Sequence, residues 1–218
     1  MELKALGVMA IDALEVAENS RWKKRALTEE LNSESPSMAA DDTQQLVKKI
    51  SAENYKLFRN IHSFLSCCAN VSKLIWLNPK ADSLDLQKRG VSKERIEEIS
   101  RKLEAIRSKL QLNGKGTFYW ENRELRNHLE HYNIRLFSLM AETGNMCSFR
   151  TCDSSSLSQR ATDTTEKNYM RTFVVDTKQY IFQGSLYDLS KMEQDIRYLL
   201  HAIEENDPLR FSPRASPN

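Results

Sequence analysis

Residues 123–135 read R-E-L-R-N-H-L-E-H-Y-N-I-R: two histidines, two acids, two asparagines and three arginines within fewer than about four turns of a helix. Most helices fill such positions with Lys/Glu pairs. Imidazoles exchange protons near neutral pH, guanidinium groups hold oxyanions, and acids beside histidines can ligate metals. Three readings follow from residue type. The first is a solvated face of i,i+4 ion pairs, each contributing a few tenths of a kcal/mol. The second is a metal site using Glu124, His128 and His131, with His62 as a distant fourth ligand. The third is proton transfer beside a bound anion.

Spacing separates these readings in part. At about 100° per residue, Leu125, Leu129, Tyr132 and Leu136 form the core stripe, and Glu124, His128, His131 and Arg135 group elsewhere. Asn127 lies about 40° from His131, whereas Arg126 lies about 140° from it. The i,i+3 histidine pair lacks the glutamate placement of H-E-x-x-H, so no metal or other cofactor is expected.

The elements that must position this helix are also legible. Six glycines in 218 residues argue against many tight turns and favour long helices. Residues 1–31 form an amphipathic N-terminal helix with a basic stretch at 21–25, and 32–40 break it at Pro36. Leu46, Ile50, Leu57, Ile61, Phe64, Leu65 and Cys68 recur at helical spacing, predicting a long helix from Asp41 to about Leu77. Ile96, Ile99, Leu103, Ile106 and Leu110 predict another from Ser92 to about Leu112, stopped by Asn113-Gly114-Lys115-Gly116. The motif helix then runs from about Tyr119 to Glu142. Residues 148–168, rich in Ser, Thr, Asp and Gln, read as an exposed loop. Residues 172–176 and 179–183 alternate as a β-hairpin, which must lie against helices to be stable. Residues 187–205 form the last amphipathic helix, and 207–218, with three prolines, a frayed tail.

The expectation is an all-α antiparallel bundle of about five helices with a small C-terminal hairpin. Residues 41–206 form the bundle, including the hairpin at 172–183. Trp76 and Trp120 are expected as core or interface anchors, and Trp22 as a packed residue. A net charge of +2 implies neither nucleic acid nor membrane. Residues 88–126 hold 11 Lys/Arg against 6 Asp/Glu, a mildly basic region. No run reaches the roughly 20 apolar residues of a membrane span. The N-terminus lacks a signal-peptide pattern, and four cysteines suit reduced thiols, so a cytoplasmic protein without a membrane partner is expected.

Arg126-Asn127-x3-His131 resembles the R-[polar]-x(3–5)-H signature of HEPN domains. These are all-α bundles that include metal-independent ribonucleases of toxin–antitoxin, defence and RNA-processing systems. The pair I-H-S-F-L-S-C-C-A-N-V-S-K-L-I-W-L (61–77) and L-R-N-H-L-E-H-Y-N-I-R-L (125–136) is similar to an uncharacterised bacterial group whose second motif reads about R-N-H-x-E-H-F-D-E-R-L-D. Residues 182–189 (F-Q-G-S-L-Y-D-L) fit its C-terminal pattern, and the likeness covers about 41–198. Asn133 and Ile134 stand where that group tends to carry Asp-Glu, and Ser138 where an acid is common.

The resemblance implies RNA cleavage by 2′-hydroxyl attack, with Arg126 and His131 catalytic and Asn127, His128 and Glu130 supporting. It also implies a homodimer in which two motif copies line one cleft, with RNA and a cognate antitoxin or regulatory protein as partners. The alternative is a non-enzymatic helical scaffold or interaction protein with a degenerate motif. There Asn127, His128 and His131 would make interhelical hydrogen bonds, for example to His62, Asn70 or Tyr55.

Overall fold

The computed structural model describes residues 2–34, 39–76, 81–112, 129, 148–155, 169–182 and 185–206. Among these the protein is mostly helical, with five helices and a four-stranded mixed sheet in the C-terminal part. The chain divides into two compact units, Met1–Cys68 and Ala69–Asn218.

The first unit holds α1 (Glu2–Glu34) and most of α2 (Ala40–Ile75). Lys24 Nζ on α1 donates to Asn54 Oδ1 on α2 at 2.9 Å. That contact lies ten residues before the end of α1 and fourteen after the start of α2, so the two helices must fold back as an antiparallel pair. A common rise of about 1.5 Å per residue then sets Ala17 level with Ile61 and Leu14 level with Phe64. All four are buried. Small residues at Ala10, Ala17 and the buried Ser20 add to the buried side of α1. Asp41 and Asp42 in the first turn of α2 oppose the positive end of its dipole. Helix α1 runs three residues beyond the expected end, with Ser33 Oγ bonding back to the Glu30 carbonyl.

In the second unit α2 ends at Ile75, two residues before the expected Leu77. The Arg107 guanidinium donates to the Ile75 carbonyl at 2.7 Å, placing a cation at the negative end of the helix. Two further helices follow, α3 (Ala81–Lys88) and α4 (Lys93–Lys109). The eight-residue α3 was not expected, being too short to carry a readable apolar period. Gly90, at φ +83°, closes it: Gly90 N–H reaches the Gln87 carbonyl and Val91 N–H the Leu86 carbonyl. Ser92 caps α4 by accepting from the Arg95 amide at 3.3 Å. Its other end stops at Lys109 rather than Leu112, because Gln111 takes φ +57° and Leu112 N–H reaches back to the Arg107 carbonyl.

The sheet has the order β1-β2-β3-β4: β1 (Ser148–Cys152), β2 (Tyr169–Val174), β3 (Gln179–Phe182) and β4 (Ser185–Asp188). Strands β2 and β3 pair antiparallel around the turn at 175–178, as the alternation at 172–183 predicts. The small hairpin is nonetheless a four-stranded mixed sheet, because β4 adds antiparallel to β3 and β1 adds parallel to β2. The expected loop at 148–168 thus begins with a strand. Parallel pairing needs a connection of roughly a dozen residues or more, and the polar segment between Cys152 and Tyr169 supplies that length. Helix α5 (Leu189–Glu205) starts two residues later than expected, since Tyr187 belongs to β4 and Asp188 caps the helix through the Lys191 amide. Leu189, Met192, Ile196 and Leu199 bury one face of α5, which packs on β3.

Candidate functional site

Of the expected motif helix, Leu129 is helical and half-buried. Arg126, Asn127, His128, Glu130 and His131 lie outside the described residues, as does Trp120. What can be built is the set of side chains on which each reading of the motif depends.

The candidate partners all sit on α2. Tyr55 is 60% exposed and His62 half-buried; at about 100° per residue they share one stripe, about 20° apart. Asn70 is exposed and about 80° from His62. His62 borders the buried arc of Leu57, Phe58, Ile61, Phe64 and Leu65. The three therefore do not form one polar row. Among the described residues, no three His, Cys, Asp or Glu side chains cluster as metal ligands would. No helix of the described residues is long and apolar enough to cross a membrane.

Trp22 departs from expectation. It is 55% exposed instead of packed, with the Arg21 and Arg25 guanidinium carbons 4.7 Å and 5.8 Å from its ring centroid. The reason is positional: Ala10, Ile11, Leu14 and Ala17 define the buried side of α1, and Trp22 falls at its margin among charged neighbours. Trp76 is half-buried just beyond α2, its amide bonded to the Ser72 carbonyl.

Sequence reasoning missed a polar group inside the second unit. Phe173 on β2, Tyr180 on β3 and Tyr187 on β4 are successive cross-strand partners on one face of the sheet, and all three are buried. Arg171 hydrogen-bonds the Tyr180 phenol, while burial pushes that phenol far above its ordinary range despite the nearby guanidinium. Asp195, 8% exposed, stands on the buried face of α5 between Met192 and Leu199 and is itself partnered. A wheel of 189–205 places this carboxylate on the apolar stripe, which was the available signal. These side chains are fixed and shielded from water, which suits holding the sheet to its helix more than turning over a substrate.

At the end of β1, Asp176 accepts from both the backbone amide of Ser154, at 2.9 Å, and its hydroxyl. These bonds hold the Asp176 carboxyl below its ordinary range. They clamp the turn at 175–178 to the end of the parallel strand. Cys152, at the end of β1, is half-buried, with its thiol pushed up by burial, and Cys147 lies outside the described residues. Comparison with protein families, curated proteins and solved structures returns no match.

Proposed function

We propose that the chain is a metal-independent RNA endonuclease of HEPN type, toxin-like or defence-like, acting in the cytoplasm as a homodimer. The observation that carries this is the spacing Arg126-Asn127-x3-His131 within a helix-forming stretch whose core position, Leu129, is helical and half-buried. The finer architecture belongs to the same proposal: an antiparallel helical bundle that includes the motif helix.

In the reaction, the RNA 2′-oxygen bonds to the adjacent phosphorus and the P–O5′ bond breaks, leaving a 2′,3′-cyclic phosphate and a 5′-hydroxyl. His131 takes the 2′-hydroxyl proton, and an imidazolium returns one to the departing 5′-oxygen. Arg126 donates paired hydrogen bonds to the phosphate oxygens as charge builds in the transition state. Asn127 holds the imidazole tautomer or the phosphate, with His128 and Glu130 supporting. The angle of about 140° between Arg126 and His131 on one helix is met by two copies sharing a cleft. A cognate antitoxin or regulatory protein would mask that cleft.

The mechanism is tested with an RNA carrying a single 2′-deoxy nucleotide at the preferred cut, incubated in EDTA. The proposal expects cleavage of the all-ribose strand and none at the substituted position. Equal cutting at that position, or cutting that EDTA abolishes, contradicts it.

A non-enzymatic scaffold is the second reading, favoured by His62, which is half-buried beside the apolar arc of α2. In that case His62→Ala and His131→Ala lower the melting temperature together, and no variant changes RNA.

A further inference from the structure

We infer that the polar group joining α1 to α2, at residues 20–24 and 53–54, is a register lock that holds the helix pair in one axial alignment. Lys24 Nζ donates to Asn54 Oδ1 at 2.9 Å. One turn earlier, the buried Ser20 hydroxyl donates to the Glu53 carboxylate, which also takes Lys56 Nζ at 2.7 Å. Ser20 and Lys24 are four residues apart and share one stripe of α1. Two bonds at different heights between the same helices constrain both the slide and the rotation of α1. The short serine side chain cannot follow a slide of one turn, about 5.4 Å, so its bond is lost outright. The surroundings raise the cost of mismatch: burial lowers the pKa of the Lys24 ammonium, and the Glu53 side chain is 13% exposed.

The apolar side of α1 discriminates less between alignments. Among the described residues its buried positions are Gly7, Ala10, Ile11, Leu14, Ala17 and Ser20, four of them small. A shift of three residues, about 4.5 Å, sets Ala10, Ala13, Leu14 and Ala17 in place of Gly7, Ala10, Ile11 and Leu14. All but the last exchange alter volume by a methyl group or less, which a core accommodates. The same shift carries Lys23 to the place of Ser20 and Leu27 to that of Lys24, leaving the Asn54 carbonyl without its donor. A polar contact inside a helix interface specifies register at some cost in stability, as a single buried polar residue does in a coiled coil. The inference stands apart from the nuclease reading and uses none of its residues.

The test replaces the pair by apolar side chains, Lys24→Met with Asn54→Leu, in the full-length chain and follows the α1 amide resonances by NMR. Wild type is expected to give one sharp set. The double variant is expected to give two sets, or broadened ones if the alignments interchange quickly. Its melting temperature is expected to stay within about 4 °C of wild type, because an apolar pair replaces a partly buried polar one. Arg25→Ala, which removes the exposed ion pair to Glu29 on α1 alone, is expected to keep one sharp set. One sharp set in the double variant overturns the proposal. With unchanged melting, packing alone then fixes the register; with lowered melting, the pair is a stabilising contact only. Loss of the fold in the double variant, or doubled peaks in wild type or Arg25→Ala, overturns it as well.

Discussion

The Asp176 carboxylate joins two parts of the sheet that are 22 residues apart by accepting the Ser154 amide and hydroxyl. Because these bonds favour the ionised form, its folded pKa lies below the ordinary 3.8. The stability it contributes is therefore present above that value and lost as pH falls through the lower folded one. Asp176→Asn should destabilise the protein near neutral pH, with the gap to wild type closing below about pH 3.8 in urea melts. A gap that widens in acid would contradict the clamp. Single residues were also where reading from sequence was least complete. Hydropathy alone predicts a packed Trp22 and a solvated Asp195; the structure exposes the first and buries the second. Residue type says what a side chain prefers, while its angle on the helix relative to the core decides what it gets.

The helix ends are governed by backbone conformation, and two of them differ instructively. Both α3 and α4 close with a left-handed residue that lets two amides reach back to the last turn, Gly90 in one and Gln111 in the other. A side chain at such a position costs roughly 1 kcal/mol that glycine avoids. Gly90→Ala is accordingly expected to lower unfolding free energy by about 1 kcal/mol, and Gln111→Gly to raise it by about 0.5 kcal/mol after its entropy cost. Chemical denaturation of both variants checks the pair, and the same sign in both would refute this view of the ends. The long helices were legible because their apolar residues repeat over many turns, as from Leu46 to Cys68. By contrast α3 and β1 were not, being eight and five residues long within polar sequence. Nor does local alternation reveal that β1 runs parallel to β2, since that register is set by a partner beyond a polar connection.

For the whole molecule, the predominance of helix was readable in advance, the four-stranded mixed sheet was not, and function was readable only as chemistry awaiting a geometry. A scarcity of glycine and sustained helical periodicity led to a mostly helical protein, and the late change of period marked where the sheet would form. The motif at 123–135 could be read for its residue types but not for where its polar arc faces, because that depends on neighbouring helices and on a second copy. Under the proposed function, Arg126 and His131 act across a dimer cleft on one phosphate. Single-turnover cleavage of a single-stranded RNA in EDTA, comparing wild type with Arg126→Ala and His131→Ala, tests this most directly. The account predicts cyclic-phosphate products from wild type and a loss of at least about a hundredfold in each variant, with both variants still folded. Equal product from all three proteins would contradict it.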